Sequence, residues 1–111
     1  MSMQTLIYPV KDLDTTKAIF TALLGAAPEM DQPYYVGWKV DGQDIGLDPH
    51  GHSKGLTGPQ PYWQVDDIEK AITALVEAGA EVTDKPHDVG GGRQIATVKD
   101  ADGNPIGIMQ G

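Results

Sequence analysis

The sequence predicts an α+β protein built from two tandem βαβββ modules. Three correspondences between its halves carry that prediction. Val10-Lys11-Asp12-Leu13 matches Val65-Asp66-Asp67-Ile68, with Asp12 and Asp67 lying 55 residues apart. A helical pattern stops at a glycine in each half, at Gly25 and at Gly79. Gly46-Leu47 matches Gly107-Ile108. Helix stops, turns and strand order agree at once, a consistency across levels that chance rarely produces.

The elements follow in order. Gln4 to Val10 reads as a strand through Leu6, Ile7, Tyr8 and Val10. Asp12 or Asp14 offers an N-cap. Leu13, Ile19, Phe20, Leu23 and Leu24 then recur at helical spacing, and Gly25 ends the helix. Ala26 to Met30 predicts a short strand, broken by Asp31-Gln32-Pro33. Tyr34 to Val40 is a strand rich in aromatic and β-branched residues. Asp41-Gly42 is a hairpin turn, and Asp44 to Asp48 returns through Ile45 and Leu47.

Pro49 to Pro61 lacks periodicity and is rich in glycine and proline, which predicts a linker. The order then repeats. Tyr62 to Val65 is a strand. Asp66 is expected to cap a helix, with Glu69 completing a capping box. Ile68, Ile72, Leu75 and Val76 form its stripe, and Gly79 stops it. Glu81-Val82-Thr83 predicts a short strand and Pro86 to Gly92 a loop. Arg93 to Lys99 and Pro105 to Gln110 form a closing hairpin around Asp102-Gly103-Asn104. The expected organisation is a single domain, 1–111, with module one at 1–48, a linker at 49–59 and module two at 60–111.

Composition narrows the function. Of 111 residues 40% are apolar, enough for a core, and no run of 18 apolar residues predicts a membrane span. Met1-Ser2-Met3-Gln4 lacks the basic and apolar segments of a secretory signal. Cysteine is absent, which removes disulfides, zinc–thiolate sites and thiol nucleophiles and suits a cytoplasmic protein. The net charge of -8, without a basic cluster, argues against nucleic-acid binding and favours a neutral or cationic ligand.

The closing hairpin, Asp100-Ala101-Asp102-Gly103-Asn104-Pro105-Ile106-Gly107-Ile108, resembles the last hairpin of the vicinal oxygen chelate superfamily, which includes glyoxalase I, bleomycin-resistance proteins and extradiol dioxygenases. With the duplicated βαβββ order, the resemblance covers essentially the whole chain. It implies a curved mixed sheet around a cavity, helices outside, and a homodimer. Exposed aromatics such as Tyr34 and Tyr35 agree with the last expectation.

In the metal enzymes of that superfamily, the first strand of each module supplies a His, Gln or Glu and the last strand a Glu. Carried over, these positions are Thr5 and Gln60, seven residues before Asp12 and Asp67, and Gly46 and Gly107. Two lack side chains and two are neutral, a poor set for a divalent transition metal. The resemblance therefore implies a member without metal or other cofactor. His50-Gly51-His52 sits in a loop and offers too few ligands for a zinc site. Counted from Asp100, the glycine is fourth and position twelve is Gly111, which excludes an EF-hand. Val89-Gly90-Gly91-Gly92 lacks the lysine and helix of a phosphate loop and reads as a flexible connection or a lid.

Strand alternation turns Thr5, Ile7, Asp44, Gly46, Asp48, Gln60, Tyr62, Gln64, Gly107 and Met109 inward. Leu6, Ile45, Leu47, Trp63, Val65, Ile106 and Ile108 then face the helices, with Trp63 in the core. The glycines at 46 and 107 would enlarge the cavity. The candidate ligand-binding residues are Thr5, Trp38, Asp48, His50, Gln60, Tyr62, Gln64 and Arg93. The leading expectation is a metal-free small-molecule binding protein. The alternative is a glyoxalase- or dioxygenase-like lyase, isomerase or oxygenase with different metal ligands, or a metal-free enzyme with Asp48, His50 and His87 as acid–base groups.

Overall fold

The computed structural model describes residues 2–111. Met1, at which the expected first module begins, lies outside the described residues. Two compact units emerge, one Gln4–Gln60 and the other Pro61–Gly111 grouped with residues 2–3. The first module holds β1 (Ser2–Pro9), α1 (Leu13–Leu24), β2 (Met30–Gln32), β3 (Tyr35–Val40) and β4 (Gln43–Asp48). The second holds β5 (Gln60–Gln64), α2 (Ile68–Glu77), β6 (Glu81–Asp88), β7 (Gln94–Lys99) and β8 (Pro105–Gln110). The predicted βαβββ duplication and the α+β class are both present.

Within each module the strands follow one plan. The first runs β2-β3-β4-β1 and the second β6-β7-β8-β5. In both, the first and last strands pair in parallel, β1 with β4 and β5 with β8. The remaining pairs are antiparallel. A parallel pair needs a crossover long enough to carry the chain back, and the helix begins that crossover.

Both helices start alike and end differently. The Asp12 carboxylate accepts from the Thr15 N–H at 3.1 Å, and Asp67 accepts from Lys70 N–H at the same distance. The second cap is therefore Asp67 rather than the expected Asp66, because α2 opens at Ile68 and the capping side chain must reach an N–H three residues on. At α1, Gly25 adopts φ 69° and its N–H donates to the Thr21 carbonyl. At α2, Gly79 adopts φ 114°, its N–H donates to Val76 and the Ala80 N–H to Leu75, a Schellman ending.

Each helix covers one face of its own sheet. Val10, Val36, Trp38 and Leu47 form the first core, with Tyr8, Leu13, Phe20, Leu24, Val40 and Ile45 packed around them. Phe20 bridges Tyr8 and Trp38, with ring centroids 4.9 and 5.8 Å away. Ile68, Ala96 and Ile108 form the second, with Val65, Ala71, Ile72, Leu75 and Ile106. The outer side of α1 leaves Ile19 and Leu23 exposed. Trp63 is on the strand face predicted for it but is 38% exposed, so it is a peripheral side chain rather than the core residue expected.

Several element boundaries differ from expectation, including β1, which spans Ser2–Pro9 rather than Gln4 to Val10, and β5, which spans Gln60–Gln64 rather than Tyr62 to Val65. β2 forms at Met30–Gln32, beyond the predicted Ala26 to Met30. The β3–β4 turn is as predicted, with φ 52° at Asp41 and 80° at Gly42. β6 runs past Thr83 to Asp88 and accommodates Pro86 because it is an edge strand whose register shifts between Val82 and Asp84 and again before His87. The expected loop at Pro86 to Gly92 thus shrinks to a tight hairpin turn. It closes with Val89 N–H donating to the Arg93 carbonyl and Arg93 N–H to Gly90. Among the described residues, no helix is long and apolar enough to cross a membrane.

Candidate functional site

The sheet faces turned away from the helices carry the polar side chains. In the first module, Val36, Trp38, Ile45 and Leu47 pack toward α1. The intervening residues therefore point the other way. The ladder aligns Thr5 with Asp44, Ile7 with Gly46 and Pro9 with Asp48, and sets Gly37 opposite Gly46. Trp38 does not join this face. It is 3% exposed in the core, and its Nε1–H donates to the Ala26 carbonyl at 3.0 Å. The period-two alternation of β3 puts it beside Phe20, so its place as a ligand-binding residue is corrected to that of a packing residue.

Asp48 is buried, and its carboxylate is engaged in building the turn after β4. Oδ1 accepts from the His50 N–H and Oδ2 from Lys54 Nζ, both at 2.8 Å. A 3-10 turn at His52–Lys54 follows, and His50 itself is exposed. Asp48 thus organises a loop, and His50 stands on that loop away from the sheet ladder. Thr5 is buried on the inner face.

Gly46 does not leave open space. The Tyr35 ring lies over it, with the phenol oxygen where a Cβ at Gly46 would stand, and the same ring passes 2.9 Å from the Cβ position of Gly37. The second module repeats the arrangement. A Cβ at Gly107 would meet the Tyr62 ring and the Pro61 carbonyl oxygen, each at 2.6 Å. The expectation that these glycines enlarge a cavity is corrected: aromatic rings fill both positions, as they often do above a glycine in a sheet.

The register of the second module arranges a grid on the face away from α2. Gln64, Met109, Ile95 and His87 form one row across β5, β8, β7 and β6. Tyr62, Gly107, Thr97 and Asp84 form the next. Gln60 opens β5 and is 1% exposed. Arg93 precedes Gln94, whose partner Gln110 reaches α2 through the Ile68 N–H, so alternation brings Arg93 to the grid's end beside Ile95. Of the expected site residues, this module therefore aligns Gln64, Tyr62 and Arg93 on one face.

The sequence reading missed Asp84, Ile95 and Thr97. The β6 stretch that carries Asp84 was hidden because an exposed edge strand with Pro86 shows no apolar alternation, and the face taken by Ile95 and Thr97, on β7, depends on register. His87 Nδ1–H donates to the Lys85 carbonyl at 2.8 Å, and Asp84 Oδ1 lies 3.6 Å from the same nitrogen. Because a carbonyl only accepts, the Nδ1 that meets it carries a proton, and in the neutral form of such a ring Nε2 is the acceptor. Among the described residues, no group of three or more His, Asp or Glu side chains is placed to hold a metal ion.

This architecture recurs in solved structures. A Legionella pneumophila NAD-dependent benzaldehyde dehydrogenase structure shares 14% identity, with a TM-score of 0.76 and 96% of each chain covered. A glyoxalase/bleomycin resistance protein/dioxygenase superfamily member from Vibrio splendidus gives 19% identity and a TM-score of 0.74, over 96% of this chain and 95% of that one. Streptomyces coelicolor methylmalonyl-CoA epimerase, in complex with 2-nitronate-propionyl-CoA, gives 15% identity and 0.73 over 99% and 94%. At such identities the likeness speaks for the fold alone. No curated protein matches the sequence. A sequence model of the glyoxalase/bleomycin resistance protein/dioxygenase superfamily matches residues 2–108. With the duplicated βαβββ plan and a glycine-centred set of four strands in each module, the chain belongs to that superfamily.

Proposed function

We propose that the protein binds a small molecule without metal, on the second module's sheet face turned away from α2. The observation that carries this reading is the pair of tyrosines. Tyr35 and Tyr62 lie over Gly46 and Gly107, the positions where the superfamily's metal enzymes place their carboxylates. The other two positions offer the Thr5 hydroxyl and the Gln60 carboxamide. A set with no imidazole and no carboxylate does not fit a divalent transition metal, because neutral donors repay little of its desolvation. On the second module, Tyr62 gives the sheet face an aromatic and hydroxyl-bearing surface, suited to a ligand with an apolar body and a few polar groups.

The test is elemental analysis of protein purified without a histidine tag, paired with thermal shifts against zinc, nickel, iron(II) and manganese. The expected result is no stoichiometric metal and no stabilisation, since a ligand of the native state raises its melting temperature. Stoichiometric metal would overturn the reading and favour a lyase, isomerase or oxygenase with unrecognised ligands.

One observation supports a second, enzymatic reading. His87 lies on the same sheet face as Tyr62 and Thr97, and in its neutral form with the proton on Nδ1 it would offer Nε2 as a general base. Acceleration of α-proton exchange of a ketone probe in D2O, lost in His87→Gln, would favour it. The lack of cysteine fits a cytoplasmic setting. We also expect a homodimer, with Tyr34 as an exposed aromatic. Tyr35 does not serve that role, being half-buried over glycine. Sedimentation showing only an 11.8 kDa species would exclude the dimer.

A further inference from the structure

We infer that Arg93 is the anchor for a carboxylate on the ligand. This rests on the proposed ligand face and narrows the ligand's class. Arg93 is the sole arginine in a chain with 16 acidic and 8 basic residues. Four lysines meet carboxylates: Lys17 with Asp31, Lys39 with Asp44, Lys54 with Asp48, and Lys99 with Glu81. Among the described residues, Arg93 is in no such pair and its side chain makes no hydrogen bond, although it is half-buried. A half-buried arginine amid twice as many acids as bases has its five donors uncommitted.

Its surroundings define the rest of the ligand. Arg93 ends the grid next to Ile95, and Met109 lies across from Ile95. Same-face neighbours along a strand are about 7 Å apart, so a carboxylate on Arg93 sets an apolar body over Ile95, with the buried Met109 beside it. Gln64 and His87 flank that row on β5 and β6 and can meet a polar substituent. The planar guanidinium takes carboxylate and phosphate alike through paired N–H bonds. The chain's charge of -8 decides between them, because it opposes a dianion more than a monoanion. An anionic ligand departs from the neutral or cationic one that this charge favours in the sequence, and the departure rests on Arg93: the net charge is screened by salt, while the contact is local.

The experiment titrates the full chain with benzoate, cinnamate and hexanoate, with their primary amides, and with phenyl phosphate. Affinity is read by calorimetry and position by backbone amide shifts. The expected result is tighter binding of the acids than of their amides or phenyl phosphate, with shifts at Ile95 and Met109. Arg93→Gln should weaken the acids roughly ten-fold or more and leave the amides unchanged, and Arg93→Lys should fall between. Unchanged melting temperatures show that the variants fold. If acids bind no better than amides, or Arg93→Gln keeps the preference, the anchor is wrong. In that event amides still shifting Ile95 and Met109 would leave the ligand face standing, and no shift there by any probe would remove both. Tighter binding of phenyl phosphate than of benzoate would overturn the choice of carboxylate.

Discussion

The two modules share a plan, yet they reach the same surface by different routes. In the first, the ring over the central glycine comes from Tyr35, on the strand antiparallel to the one bearing Gly46. In the second it comes from Tyr62, on the strand parallel to the one bearing Gly107. The repeat therefore does not carry the tyrosine from one half to the other. What recurs is the physical need: a glycine in a sheet leaves a gap, and whichever neighbouring strand can supply an aromatic ring fills it. The cores differ in the same way. The first is centred on aromatic contacts among Tyr8, Phe20 and Trp38, and the second is aliphatic around Ile68, Ala96 and Ile108.

The largest expected effect separates the two tryptophans. Trp38→Ala should cost about 3–5 kcal/mol, because it opens a cavity in the first core and frees the Ala26 carbonyl. Trp63→Ala should cost roughly half as much or less, since its ring is already partly in water. Chemical denaturation of both variants measures the difference, and equal losses would dissolve the contrast between the modules.

The glycines sharpen it next. Gly107→Ala should destabilise by about 1–3 kcal/mol, because the new methyl meets the Pro61 backbone as well as the Tyr62 ring. At Gly46 the three atoms nearest the new methyl all belong to the Tyr35 side chain, so Gly46→Ala should cost less, and adding Tyr35→Ala should relieve most of its cost. Tyr62→Ala should not rescue Gly107→Ala. A double-mutant cycle in each module reads these couplings directly, and rescue in both would show that side chains alone set the spacing.

The helix ends give a smaller effect. Gly25→Ala places a side chain at φ 69°, within the left-handed basin, at about 1–2 kcal/mol. Gly79→Ala, at φ 114°, lies outside that basin and should cost more. Melting temperatures in the reverse order would contradict the Schellman ending drawn for α2.

The smallest effect concerns the turns. Module one closes its β3–β4 hairpin with two residues, whereas the β7–β8 turn is longer and is held by Asp100. That carboxylate accepts from the Asn104 side chain at 2.9 Å and from the backbone N–H groups of Asn104 and Asp102. The Asn104 bonds, the side-chain one first, hold its pKa below the ordinary carboxylate value. A lowered folded pKa gives stability that is present above the unfolded value and lost as pH falls through the folded one. Asp100→Ala should therefore destabilise the protein at neutral pH, with the gap to the parent closing as pH drops below about 4. A gap that stays constant in acid would show that the turn does not depend on the charge.

Much of this was legible along the chain. The capping aspartates, the stopping glycines, the Asp41-Gly42 turn and the apolar stripes act within a few residues, so the repeat and the strand order could be read from spacing alone. The identity of the superfamily followed from the same local features. Asp66 was expected as the cap where Asp67 serves, because either aspartate can cap and only the first helical turn decides. The extension of β6 was hidden because an exposed edge strand needs no apolar alternation, and a register shift makes room for Pro86.

What only the tertiary structure decided is what meets what across strands. Gly46 and Gly107 read as vacancies in the sequence, since an absent side chain says nothing of its neighbours. Pairing and rotamer choice then brought Tyr35 and Tyr62 over them. Asp48 read as a ligand residue, and its engagement by the His50 N–H and Lys54 came from the path of the chain after β4. Arg93 was recognisable as a basic residue near a strand, but its uncommitted guanidinium emerged only once each lysine–carboxylate pair had formed. The sequence set local conformation because caps, turns and periodicity are short-range. Burial and partnership arose from contacts between residues far apart in the chain, which no local pattern encodes.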